Sequence, residues 1–324
     1  MRRREFIAAL GAVATWPVTA QAQQRAVPVI GYLSAGARDA DGASVGELRQ
    51  GLQEGGYSEG RNIEILYRYA ENQFDRLPSL ALDLVGSRVA VIVASGGAPA
   101  VAAKAATTTI PIVFEYANDP VALGLVPRLN RPGGNLTGVT LRVDSLFSKG
   151  IELLHEMLPQ ATSIAFLTNP ANPVDLARRE VESAARALEL RLTIVTASNA
   201  AEMEQVFAMI AEQRLGAVLV NSDRLFVGHY KLLAGLAVRY RVPALYWERE
   251  AVEAGGLMSY GANLAQSHRL VGSYVARILN GEKPGDLPVQ SPSQIELVIN
   301  LSAATALGIT VPRIILARAD EVIQ

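Results

Sequence analysis

From residue 27 onward the chain alternates short, nearly continuous apolar runs with longer stretches whose apolar residues recur every three or four positions. The first kind reads as strands and the second as amphipathic helices. Strands are predicted at 27–33, 62–69, 89–93, 111–116, in a short segment after the turn-rich 130–139 stretch, and at 163–168, 191–195, 217–221, 243–247 and 294–301. Helices are predicted at 44–55, 76–85, from about Pro99 after the 95–99 turn to 106, at 146–158, near 173–189, 201–213 and 224–239, and at 264–280 and 303–307. Gly55-Gly56 stops the first helix, and Gly308 the last. Runs such as Val89-Ala-Val-Ile-Val are apolar throughout, as a strand covered on both faces must be. Strands and helices in strict alternation predict an α/β protein built on parallel sheets.

The alternation runs its course once and then begins again near residue 141, without a residue-by-residue repeat. With 324 residues and half of them hydrophobic, two lobes of similar architecture are expected. The expected division is an N-terminal lobe of 23–140 with a return segment around 262–290, and a C-terminal lobe of 141–261 with the 291–324 tail. A tail that follows a finished second lobe often packs across both.

Residues 1–22 do not belong to this pattern. Arg2-Arg3-Arg4 runs into an apolar stretch of about eleven residues and then Ala20-Gln21-Ala22, the order of an export signal cleaved after Ala22. The stretch falls short of the ~20 residues that span a bilayer. Arg3-Arg4-Glu5-Phe6-Ile7 is similar to the core of twin-arginine signals, the general secretory route being the alternative. Either route implies a periplasmic protein.

Charge narrows the partners. Lys and Arg number 30 against 31 Asp and Glu, a net of −1, and removal of Arg2, Arg3, Arg4 and Glu5 moves the balance to −3. No basic field exists to hold a nucleic-acid backbone, and no helix-turn-helix fits ahead of the first strand. The chain has no cysteine, which excludes thiol nucleophiles, thiolate metal sites and disulfides. His155, His229 and His268 lie far apart in helical stretches, so no metal site and no nucleophile with a histidine base is expected. A G-x-G-x-x-G fingerprint is absent, and no cofactor is expected.

Ligands of parallel sheets bind beyond the carboxyl ends of the strands. Those ends carry Ser34 and Ala35, then Gly96, Gly97 and Ala98, then Asn118 and Asp119; in the second half, Asn169, Asn221 and Asp223, and Tyr246 with Glu248. Tyr260 follows shortly after. Gly96 and Gly97 allow close approach to the backbone, and Pro99 at a helix start leaves N–H groups for an anion such as a carboxylate; a plain strand-to-helix turn is the other reading. Asp119 or Asp223 could pair with an amino group, while Asn118, Asp119 and Asn169 could equally be helix caps. Tyr246 and Tyr260 could stack on an apolar ligand or sit in the core, and alternation points Tyr246 and Trp247 to opposite faces. Glu115 and Glu248 could form a hydrolytic carboxylate pair only if two lobes faced each other.

Several stretches, "VIGYLSAG", "VIVASGGAPA", "NDPVALGLV", "LNRPGGNLTGVT" and "IELVINLSAATALG", closely resemble the ABC transporter substrate-binding proteins of the family that includes tryptophan- and tyrosine-type binding proteins. The similarity runs from about Val27 to the C-terminus. It implies a type I periplasmic-binding-protein fold: two α/β lobes, each a parallel sheet flanked by helices, joined by a hinge that closes on a small solute. It implies a monomer without enzymatic activity that delivers an amino acid, possibly aromatic, or a related carboxylate to a membrane permease. By motif, Gly97-Ala98-Pro99 matches the family's Gly-Thr-Pro loop with Ala98 in place of the threonine, which leaves backbone N–H groups to hold a carboxylate. Asn118-Asp119-Pro120, Thr168-Asn169-Pro170 and Asn221-Ser222-Asp223 match its other ligand-side turns. Two further readings share the pattern, a periplasmic ligand sensor and a carboxylate-dependent hydrolase.

Overall fold

The computed structural model describes residues 27–39, 41–142, 146–172, 177–292 and 294–324. The export signal expected at 1–22, like the start of the helix expected near 173, lies outside them. The first sheet takes β1 (Val29–Ser34), β2 (Glu64–Tyr69), β3 (Val91–Ser95), β4 (Ile112–Tyr116) and β5 (Leu136–Thr140), with helices α1 (Gly42–Glu54), α2 (Leu77–Gly86) and α3 (Gly97–Ala106) between them. Its order is β2-β1-β3-β4-β5 and every pair is parallel, Ile30 lying beside Ile65 and Val91, and Ile92 beside Ile112. Both faces are covered, which is why these strands are apolar at successive positions. Leu33, Ile92 and Phe114 pack under α2 and α3, whereas Ile30, Tyr32, Val91 and Val93 pack beneath α1 on the opposite face.

The second half adds α4 (Phe147–Met157), β6 (Ser163–Thr168), α5 (Ala177–Ala187), β7 (Arg191–Thr196), α6 (Ala200–Glu212), β8 (Ala217–Val220), α7 (Arg224–Val227), α8 (Tyr230–Tyr240), β9 (Ala244–Tyr246), α9 (Arg249–Glu253) and β10 (Met258–Ala262). After α10 (Leu264–Leu279) come β11 (Ile295–Asn300), α11 (Leu301–Leu307), α12 (Arg313–Arg318) and β12 (Glu321–Ile323). The sheet order is β12-β11-β10-β9-β8-β6-β7. It is parallel except for β10 against β11, where the chain returns in the opposite sense. Tyr246 packs in the core on one face of this sheet and Trp247 in the core on the other, as alternation requires.

Strands β10 and β12 and helices α9 and α12 have no counterpart among the elements expected from sequence, and two expected features take another form. The single helix expected over 224–239 is two, because Gly228 closes α7 and His229, with φ −125° and ψ 18°, starts α8 in a new direction. The tail is built into the second sheet rather than laid across both lobes: β12 pairs with β11, α11 packs on α8 and α12 on α4.

The chain passes between the sheets three times: after β5, between β10 and α10, and between Gln290, which bridges Val139 beside β5, and β11. The middle passage is the instructive one. Helix α10 leaves the second sheet and packs on α1, so closely that Gly51 and Gly272 have no room for a side chain: a Cβ on Gly272 would lie 2.3 Å from the Leu48 carbonyl oxygen, and one on Gly51 2.0 Å from that of Arg269.

Candidate functional site

Because the strands of the first sheet and β6–β10 of the second run parallel, their carboxyl ends gather on one edge of each sheet, and the two edges face each other across a cleft. A cavity of about 70 Å³ lies between them. A single water needs ~10–15 Å³, so this is room for several. From the first lobe it is lined by Ala35, Phe74, Ser95, Gly96, Gly97, Ala98, Pro99, Glu115, Tyr116, Ala117 and Asn118. Asn172, Asn221, Ser222, Asp223, Arg224, Val227 and Glu248 line it from the second lobe, with Leu141 and Leu264 from the passages between lobes.

Gly96 takes φ 112°, a conformation closed to residues with a Cβ, and so turns β3 directly into α3. No side chain caps α3. Gly97 and Ala98 line the cleft at the first turn of α3, where backbone N–H groups have no intrahelical partner, and Pro99 has no N–H to satisfy. Nearby, Asn118 is buried and its Oδ1 has no hydrogen-bond partner, although its backbone carbonyl accepts from the Thr140 hydroxyl at 2.7 Å. A buried acceptor left open beside a cavity is a place for a ligand donor.

Across the cleft Asp223 is buried and accepts three hydrogen bonds: Asn169 Nδ2 at 3.1 Å and Leu225 N at 2.9 Å donate to Oδ1, and Asn172 Nδ2 at 2.7 Å donates to Oδ2. All three donors are neutral, so none cancels the carboxylate's charge. Glu248, also buried, accepts from the Ser222 and Tyr230 hydroxyls. Burial pushes its carboxyl up to about 7, against the pull of those two hydroxyls.

One cation ties the lobes together. Arg224, first residue of α7, reaches over the cleft and donates through Nη2 to Ser95 Oγ at 2.8 Å and to Glu115 Oε2 at 3.0 Å. Its Nη1 lies 3.9 Å from Asp41 Oδ1, and Asp41 Oδ2 in turn accepts from the Tyr32 hydroxyl at 3.0 Å. His268 on α10 places Nε2 3.0 Å from the same Glu115 oxygen while Nδ1 faces the Leu264 carbonyl at 2.7 Å. A carbonyl can only accept, so Nδ1 carries a proton, and the carboxylate at Nε2 favours a second one there. Burial opposes charge on this ring, but Glu115 more than offsets it and raises the pKa above the ordinary histidine value. For Glu115, burial pushes upward and is overcome by the attraction of His268 and Arg224, which hold the carboxyl at about 2. Burial opposes the Arg224 charge as well, but Asp41 and Glu115 together hold its pKa above the usual arginine value.

Of the strand-end residues singled out from sequence, Ala35, Gly96, Gly97, Ala98, Asn118, Asn221, Asp223 and Glu248 line the one cavity. Ser34 lies behind it and accepts from Gly36 N at 3.1 Å. Asp119 caps the turn that follows it, accepting from Val121 N at 2.7 Å. Asn169 stands behind Asp223 and orients it. Tyr246 is fully buried with its ring edge-on to Tyr230, and Tyr260 packs against the second lobe's core. Arg224, Asp41, His268 and Phe74 were not singled out. Arg224 directly follows Asp223 at a strand end, and that position was its only signal. Arg249, the other strand-end cation, turns outward to Glu253, Glu296 and Glu321. Among the described residues no group of three or more metal-ligating side chains comes together, and no helix is long and apolar enough to cross a membrane.

Two α/β lobes facing each other over a polar, partly unsatisfied chamber define the class of solute-binding proteins. The chain belongs to the family of ABC transporter substrate binding proteins, whose model matches residues 26–323. It is 28% identical over 261 residues to a tyrosine-binding protein of Clostridioides difficile (strain R20291), covering 79% of this chain and 74% of that one. Its structure is similar to a conserved domain protein from Vibrio cholerae O1 biovar El Tor (TM-score 0.83, 32% identity, 91% of this chain and 99% of that one). The fold is shared with an ABC domain from Streptococcus pneumonia solved in complex with L-Trp (TM-score 0.81, 23% identity, 91% and 99% covered). The family is one of substrate-binding proteins.

Proposed function

We propose that the protein is the exported solute receptor of an ABC importer and that its ligand is an amino acid with an aromatic side chain. The observation that carries this reading is the complementarity of the open groups in the cleft. Gly97 and Ala98 offer N–H donors to a carboxylate on one side, and Asp223, whose hydrogen-bond donors among the described residues are neutral, offers negative charge to an ammonium on the other. Asn118 Oδ1 supplies a further acceptor for the ammonium. The similarity to a tyrosine-binding relative supports the aromatic side chain. In this reading the lobes are 23–140 with 262–290 and 141–261 with 291–324, and the three passages between them form the hinge. A ligand that touches both lobes favours the closed form by its differential affinity, and a permease reads that form. The protein acts as a monomer in the periplasm after cleavage at Ala22.

Thermal denaturation of the protein with L-tyrosine and L-tryptophan tests the reading. Saturating ligand should raise the melting temperature, and Asp223→Asn, which keeps the shape and removes the charge, should weaken binding by about tenfold or more. No stabilisation by either amino acid would refute the ligand assignment.

A further inference from the structure

Phe74 stands where two hollows meet. It lines the chamber between the lobes together with Ala98, and the same two residues line an apolar groove of about 320 Å³ on the outer side of the first lobe. The other walls of the groove include Leu77 and Pro78 from α2 and Val101 and Ala102 from α3. Leu82 and Val101 stand exposed in its walls, large apolar side chains that no part of the described chain covers.

The backbone leading to Phe74 is strained. Glu71 and Asn72 hold φ of 54° and 61°, left-handed conformations that side-chain-bearing residues avoid. They are held there by hydrogen bonds from Glu71 N to the Gly36 carbonyl at 3.2 Å and from Asn72 N to the Ala35 carbonyl at 2.7 Å. Ala35 is itself a wall of the chamber, so the strained pair fixes Phe74 against the chamber's rim. The chamber, at about 70 Å³, is small beside the groove and mixes open polar groups with apolar walls, whereas the groove is walled almost wholly by apolar side chains. An aromatic arm has its apolar surroundings next door.

We infer that Phe74 is a specificity-determining residue: a ligand's first aromatic ring lies against the Phe74 ring at the chamber's rim, and only an arm longer than that ring passes Ala98 into the groove between α2 and α3, while the polar head stays in the chamber. Such a site accepts amino acids whose side chains extend beyond a single ring. The inference rests on the amino-acid reading above.

Isothermal titration with L-tyrosine and with O-benzyl-L-tyrosine separates the two claims. The parent protein should bind the benzyl ether at least as tightly as tyrosine. Val101→Glu, at an exposed position, should weaken the benzyl ether by about tenfold and leave tyrosine within twofold, because it places charge only in the groove. Phe74→Ala should weaken both by about tenfold, with Phe74→Leu recovering part of the loss and the unliganded melting temperature serving as the control for folding. Tyrosine bound while the benzyl ether is refused, a Val101→Glu variant that treats both ligands as the parent does, or full affinity in Phe74→Ala would each overturn the inference and leave the amino-acid reading standing. Failure of the parent to bind either ligand would remove both.

Discussion

Replacing Arg224 with methionine should open the protein. The arginine is the charged link across the cleft, and its side chain is only 15% exposed while it donates to Ser95 and Glu115 of the opposite lobe. Hydrogen bonds to charged groups contribute roughly 1.5–3 kcal/mol each. Opening returns both partners to water and recovers part of that, so the pair favours closure by about 2–3 kcal/mol in sum, which is roughly a 30- to 150-fold shift in the ratio of closed to open. His268 remains beside Glu115 in the variant, so the first lobe keeps a counter-ion for its buried carboxylate. Methionine preserves the length and apolar stem and removes only the fork. The absence of cysteine makes the assay clean: Gln53→Cys on α1 and Glu212→Cys at the end of α6 are exposed sites, one per lobe, for a pair of spin labels. Pulsed electron-spin distance measurements on the ligand-free proteins should show a larger population at short separation in the parent than in Arg224→Met, with saturating L-tyrosine raising that population in both. Identical distance distributions in the two ligand-free proteins would refute the assignment of Arg224 as the closing contact.

Glu248 and Glu115 should respond to pH with opposite sign. A carboxyl raised to about 7 in the fold is neutral in both states below its ordinary value of 4.5 and costs nothing there; stability is lost as pH rises from 4.5 to 7 and stays lost above, so Glu248→Gln should raise the melting temperature at pH 8, by up to about 3 kcal/mol of stability, and leave it unchanged at pH 4. Glu115, held at about 2, stabilises fully above 4.5 and loses its contribution as pH falls from there to 2, so Glu115→Gln should destabilise at pH 7 and converge on the parent in acid. Calorimetry across that range checks both. Gly272→Ala should be more damaging than any surface change, because its Cβ would meet the Leu48 backbone at 2.3 Å and lift α10 from α1; a loss of about 3 kcal/mol or more is expected in urea denaturation, against less than 1 kcal/mol for Gly235→Ala, where nothing lies within 4 Å. For the leader, Arg3→Lys with Arg4→Lys should block export by the twin-arginine route and leave general secretion intact, which fractionation of cells would distinguish.

Much of the cleft was legible because parallel strands make it so. Once β3 and β4 are recognised as apolar runs, the residues that follow them, Gly96 and Asn118, must share one edge of the first sheet, and Asn221 and Asp223 after β8 must lie on an edge of the second; that the two edges face each other is set by how the lobes are joined, which no strand pattern gives. Tyr246 shows the limit of that logic. Alternation separates it from Trp247 but does not say that both faces of β9 are core, and both rings are buried. Glu115 and His268 lie far apart in the chain and meet because α10 packs on the first lobe; a return of 262–290 to that lobe is expected from the sequence, but nothing local in it sets His268 opposite Glu115. Phe74 was hidden for a different reason. Its place at the chamber rim is set by the left-handed turn at Glu71 and Asn72; Asn72 suits that conformation, but Glu71 carries no mark of it and an Asn alone does not announce the turn.

Titration calorimetry of the purified protein against L-tyrosine and L-tryptophan, with mass analysis of the ligand recovered afterwards, tests the central claim most directly. The account predicts saturable binding of one amino acid per chain and recovery of the ligand unchanged. Absence of binding, or recovery of a chemically altered ligand, would contradict it.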